Sequence, residues 1–237
     1  VGNVAGAGLG LDALLGLEPR WGGALSALIA VGIFLSRRAG VAMDRVVVAL
    51  GFVMIAMTGY VAFASHPPFG QALRNAVVPE AVDFLAITTL VGGTVGGYIT
   101  YAGAHRLVDA GVHGPASVRA IARASVVGVL VTGLMRVLLF LAVLGVVAAG
   151  VRLSGDNPTA SAFQAAAGDV GLRGFGLVPW AAALTSIIGA SYTSVSFLAS
   201  LHAGLESRHN GLVVGFILVA TAVFLVPTML VRLLDAV

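Results

Sequence analysis

The residues best placed to do chemistry in this chain carry almost no side chain. Gly92–Gly97 reads GGTVGG, four glycines in six residues, with β-branched Thr94 and Val95 between them. Each glycine costs a helix about 0.8–1.0 kcal/mol relative to alanine, so a helix through this segment loses roughly 3–4 kcal/mol. The flanks, AVDFLAITTL before and YITYAGAHRL after, keep a helical apolar pattern. A helix weakened at its midpoint, halfway across a bilayer, is the pattern of a discontinuous transporter helix. Unwinding there frees backbone carbonyls to coordinate a cation and exposes a half-helix N-terminus to an anion. The same glycines also satisfy small-xxx-small spacing, Gly92 to Gly96 and Gly93 to Gly97, which lets two helices pack closely with no break. A nucleotide loop is excluded, because no strand precedes the segment and no Gly-Lys-Ser/Thr follows it.

Few ionisable groups stand within apolar runs. Arg136 lies mid-run in VTGLMRVLLFLAVLGV, where a structural salt bridge and a gating or substrate role are both open. Asp12 and Asp83 lie close enough to the ends of apolar runs to be solvated at the membrane edge. His105, beside Arg106, is either an ordinary interfacial histidine or a proton shuttle. His66, His113, His202 and His209 fall in loops or at edges with no metal-ligand spacing. The segment Thr185–Ser196, TSIIGASYTSVS, is dense in hydroxyls, which either bond within and between helices or line a hydrophilic pathway. Gly2, Gly6 and Gly10 recur every four residues and predict one smooth packing face.

These groups need a scaffold, and composition dictates its kind. Of 237 residues, 59% are hydrophobic and only 10% charged, with a mean hydropathy of +1.03. Soluble domains are about a quarter charged. So few charges cannot cover a water-facing surface, so the lipid bilayer is the expected solvent and partner. About 20 apolar residues cross a bilayer core as a helix. The predicted spans are 1–17, 21–36, 41–64, 81–107, 121–151, 175–201 and 211–234, one transmembrane domain of about seven helices. Pro19, Pro67, Pro68, Pro79, Pro115 and Pro158 punctuate the joints. The longest joint, Arg152–Gly174, has an Ala-rich middle that predicts a short surface helix.

All 13 basic residues are arginine, scattered as singles and one pair, so they read as membrane-edge anchors and nucleic acid is not an expected partner. Alternate loops hold Arg37, Arg38, Arg45, Arg106, Arg119, Arg123 and Arg208. The opposite side holds Arg20, Arg74, Arg152, Arg173 and Arg232. The richer set orients Val1 to the cytoplasmic side. With no cysteine, disulfides, thiolate ligands and Cys nucleophiles are excluded. The chain opens at Val1 inside an apolar run, without a methionine or a signal-peptide pattern, which reads as part of a longer membrane protein. No cofactor is expected. An intramembrane enzyme would need paired aspartates, a His-Glu-x-x-His or a Ser–His dyad within the spans, and none is evident.

The segment GGTVGGYITYAGAHRL (Gly92–Leu107) resembles the sixth helix of the Nramp family of divalent metal transporters, whose pattern there is GATVMPHNLYLHS. The opening VAGAGLGLDALLGLEPRWGG (Val4–Gly23) is similar to the end of that family's third helix and the joint after it, roughly VIGSAIALNLLFGIPLWAG. The resemblance implies an all-α, polytopic transmembrane bundle. It would be part of a LeuT-like inverted-repeat fold, with the seven spans as helices three to nine. It also implies a secondary transporter working by alternating access.

The family's metal-binding alanine carbonyl and methionine sulfur fall on Gly93 and Gly96. Its proline and histidine fall on Gly97 and Tyr98, and one member of its acidic proton-pathway pair on Asn3. Gly93 keeps a carbonyl, but Gly96 offers no sulfur. A thioether favours softer transition metals, whereas oxygen-only sites suit hard ions such as magnesium. The expected substrate site is therefore Gly93, Thr94, Gly96, Gly97 and Tyr98, with Gly93 and Gly96 at the metal positions. The expected partners are a divalent cation or another small solute, and protons. A hard cation, an organic solute as in amino-acid-permease relatives, and a non-transport membrane subunit are the alternatives.

Overall fold

The structure, a computed structural model, describes residues 1–95, 111–112, 114–201 and 203–235. Among them there is no strand, and the chain is an all-α membrane bundle. Its helices are α1 (Gly2–Leu15), α2 (Pro19–Leu35), α3 (Arg37–Ala64), α4 (Phe69–Val77), α5 (Phe84–Val95), α6 (Pro115–Ala148), α7 (Pro158–Leu201) and α8 (His209–Asp235). A 3-10 turn, Ala203–Arg208, precedes α8. The segments Pro115–Ala148, Pro158–Leu201 and Gly204–Val226 are each long and apolar enough to cross a membrane. The Val48–Ala64 part of α3 passes the same test together with α4, across a bend of 105°.

The α1–α2 joint shows how local chemistry sets a turn. Gly16 closes α1 in the left-handed conformation at φ 71°, its N–H donating to the Asp12 carbonyl. Pro19 then starts α2, where a missing N–H costs nothing. Glu18 and Arg20 pair at 3.0 Å, and the Arg20 guanidinium sits 5.2 Å from the centre of the Trp21 ring. An exposed aromatic beside an ion pair suits the membrane–water boundary.

The tightest packing joins α1, α2, α7 and α8, with α1 lying along α7 as the most extensive contact. Val4, Ala7, Ala27, Leu184, Val213 and Ile217 form the centre of this four-helix unit. Small residues set its spacing. A Cβ on Gly8 would collide with the Pro19 carbonyl and come within 3.2 Å of the Gly23 nitrogen. One on Gly10 would meet the Trp180 backbone at 2.8 Å, and one on Gly176 would meet Leu14 N at 2.6 Å and Gly10 O at 2.7 Å. The predicted Gly2–Gly6–Gly10 face is thus corrected. Among the described residues nothing lies within 4 Å of a Cβ at Gly2 or Gly6, and the closely packed pair on α1 is Gly8 and Gly10. The reason is geometric, since α2 and α7 approach α1 on different sides. Ser26 is fully buried, donates to the Gly22 carbonyl at 2.6 Å and accepts the Trp180 indole N–H at 2.9 Å, bridging α2 to α7.

A second core holds Met54, Val61 and Ala62 of α3 and Ala142 of α6 against Phe163, Phe175 and Val178 of α7. Here the expectation for Arg152–Gly174 is also corrected. Helix starts at Pro158 and is broken at Ala167 (φ −135°, ψ 15°) and Gly168 (φ 60°, ψ −152°), so a short first arm folds back on the long second arm. That arm is not a surface helix. Phe163 is fully buried and stacks on Phe175 with centroids 4.9 Å apart. Asn157 caps it, accepting the Ala160 N–H at 3.2 Å, and donates through Nδ2 to the Leu9 carbonyl of α1 at 3.4 Å.

Candidate functional site

The glycine segment reaches the structure through α5. Asp83 starts that helix: its Oδ1 accepts the Ala86 N–H at 3.0 Å, and its carbonyl accepts the Ile87 N–H at 3.0 Å. Its role is that of an N-cap. α5 then runs helically through Gly92, Gly93 and Thr94 to Val95. Gly96, Gly97, Tyr98 and His105 lie outside the described residues.

α5 is exposed from Phe84 to Gly92, with Phe84 and Leu85 each 78% exposed and Leu90 69%. Among the described residues nothing lies within 4 Å of a Cβ placed on Gly92. Also among the described residues, no group of three or more His, Cys, Asp or Glu side chains could hold a metal ion.

Other candidates fall in place. Arg136 sits mid-way along α6 on an exposed face. In the hydroxyl-rich stretch of α7, Thr185 donates to the Ala182 carbonyl at 2.9 Å and Ser194 to the Ala190 carbonyl at 2.7 Å. Those two hydroxyls satisfy themselves on their own helix. A cavity of about 520 Å³ lies where the ends of α3 and α6 meet the first arm of α7. Among the described residues its only titratable lining group is His66, too little to hold a metal. Sequence reasoning missed Asn157 and Ser26. Neither stands in a motif, and what each binds lies far off along the chain.

The profile of the Nramp family, described as natural resistance-associated macrophage protein-like, matches residues 1–236. The chain belongs to the Nramp family. Nramp proteins are integral membrane transporters of metal ions rather than enzymes, and this chain is a membrane protein of that family. It is 53% identical over 224 residues to the uncharacterized membrane protein YcsG of Bacillus subtilis, covering 94% of this chain and 55% of the relative. It is 49% identical over 223 residues to an uncharacterized membrane protein of Haemophilus influenzae, covering 94% of this chain and 56% of the relative. The chain thus spans about half the length of the curated relatives it matches. No solved structure matches it significantly.

Proposed function

We propose that this chain is the helix-three-to-nine portion of an Nramp-type secondary transporter. It would move a divalent metal cation across the membrane by alternating access, through a LeuT-like inverted-repeat fold of seven crossings. The family match over residues 1–236 carries this reading. Two features of the fold support it. The helix pairs α1–α2 and α7–α8 pack as one tight unit, while α5 and most of α6 stay exposed. Alternating access needs such a division, one rigid element against which another rocks. Second, α5 carries the start of the glycine segment and is exposed from Phe84 to Gly92, where the other part of a longer protein can pack.

In this reading Gly93 supplies a carbonyl, Thr94 and Tyr98 add oxygens, and Gly96 and Gly97 leave room. Arg136 and His105 serve gating or proton movement. Protons are the coupling ion, and Val1 enters from the cytoplasmic side. With no thioether at position 96, the cation is a hard one such as magnesium rather than manganese or iron.

A second reading keeps the fold and changes the cargo to a small organic solute. The glycines at 96 and 97 favour it, because they remove the sulfur ligand and the bulk beside it and so enlarge the site. Uptake into proteoliposomes by the full-length protein separates the readings. Saturable magnesium uptake exceeding manganese uptake is the expected result. Uptake of an amino acid without any divalent flux would replace the metal reading with the second one.

A further inference from the structure

The short helix α4 is oriented the wrong way for a helix that packs on protein. Phe69, Leu73 and Val77 recur at i, i+4 and i+8 and form one stripe. Their exposures are 55%, 72% and 76%, so the stripe faces away from the bundle. Asn75, half-buried, and the exposed Gln71 line a half-open hollow of about 360 Å³ beside Phe140, Leu144 and Val147 of α6. Asn75 Oδ1 is buried there without a hydrogen-bond partner among the described residues. In water this arrangement is unfavourable on both sides, with apolar groups exposed and a polar group buried.

The direction of α4 resolves the conflict. It leaves the end of α3 at 105°, so if α3 runs along the membrane normal, α4 lies nearly in the membrane plane. At nine residues it is about 13.5 Å long, far too short to cross. An exposed Arg74 stands in its last turn, on the outward side next to Val77, within reach of phosphate oxygens. A helix in the interface plane buries its apolar face about 5–10 Å into the headgroup and acyl boundary.

The geometry points to α4 as an interfacial helix whose Phe69–Leu73–Val77 stripe is seated in phospholipid, with Arg74 at the headgroups and Asn75 on the side toward α6. The occupant of the stripe is lipid, argued from the 105° turn out of an apolar membrane helix and from the arginine that flanks the stripe. The inference rests on the chain being a membrane protein and is independent of the cargo.

Nitroxide labels test it in the full-length protein, with any cysteines outside this chain replaced. Leu73→Cys, Val77→Cys, Arg74→Cys and Asn75→Cys are labelled singly and reconstituted in phosphatidylcholine–phosphatidylglycerol vesicles. Collision rates are then measured with oxygen, which concentrates in lipid, and with a water-soluble nickel chelate. The ratio of oxygen to nickel accessibility is expected to be severalfold higher at positions 73 and 77 than at position 74. Position 75, half-buried toward α6, is expected to show lower oxygen accessibility than positions 73 and 77. Nickel exceeding oxygen at 73 and 77 would place the stripe in water and overturn the inference. Shielding from both reagents there would mean that protein, a second copy included, covers the stripe, and would overturn it equally. Phe69→Trp, read by quenching with brominated lipids, probes the same contact without a label: strong quenching supports lipid contact, and none refutes it.

Discussion

Gly176→Val is expected to prevent stable assembly of the four-helix unit, with the largest loss of stability of any single substitution proposed. A Cβ at that position would lie 2.6 Å from Leu14 N, 2.7 Å from Gly10 O and 2.9 Å from the Ala13 carbonyl carbon. All three are backbone atoms of α1, so no side-chain rotation relieves the clash. The contact is reciprocal, because a Cβ on Gly10 would lie 2.8 Å from the Trp180 nitrogen. Valine must therefore push α1 and α7 apart along their whole contact, and Trp180, whose indole N–H holds Ser26, sits one turn along. Overpacking of a tight core costs about 1–3 kcal/mol even where side chains can adjust, so the loss is expected at or above the top of that range. Thermal unfolding in detergent, followed by size-exclusion chromatography, is the measurement. Gly189→Ala is the control, since among the described residues nothing lies within 4 Å of a Cβ there. Equal melting temperatures for Gly176→Val and the parent would show that the two helices are not locked through their backbones.

Gly96→Leu is expected to abolish uptake with little loss of expression. In the proposed site, position 96 takes the place of the family's sulfur ligand, and it stands just beyond the described end of α5 at Val95. A leucine there fills the space that the glycine leaves and favours continuous helix by about 1 kcal/mol. Under either cargo reading transport should fall to background. Gly96→Met separates them further: a restored thioether should raise manganese over magnesium uptake only if the cargo is a metal. Unchanged transport in Gly96→Leu would remove the site from this segment.

The architecture was legible where lipid dictates it. Apolar runs of bilayer length become helices because backbone groups in hydrocarbon must bond internally, whereas Pro19, Pro115 and Pro158, expected only to punctuate the joints, prove to be the first residues of α2, α6 and α7. Asp83 was legible as a residue at a helix end, and it proves to be a cap. What stayed hidden depends on how helices cross. The glycines at 2, 6 and 10 share a face by period, yet among the described residues only Gly10 meets a close neighbour, because crossing angle decides which small residue is pressed. The break at Ala167–Gly168 lies inside an alanine-rich stretch that favours helix. What folds the first arm back is Phe163 seating against Phe175, a tertiary contact with no local signature. Asn157 bonds Leu9 across 148 positions of sequence, beyond any motif. Of the candidate site, the structure describes only the helical backbone from Gly92 to Val95, and Gly96, Gly97 and Tyr98 lie outside the described residues.

Hydrogen exchange at the amides of Gly96, Gly97 and Tyr98, in the full-length protein embedded in lipid nanodiscs, bears most directly on whether this helix is interrupted. In an unbroken helix those N–H groups would donate to the carbonyls of Gly92, Gly93 and Thr94. The expected result is exchange far faster than at the α5 amides of Ala86 to Val91, slowing when the transported cation is added. Protection equal to that of α5, unchanged by any cargo, would contradict an open backbone at the glycine cluster and the transport site built on it.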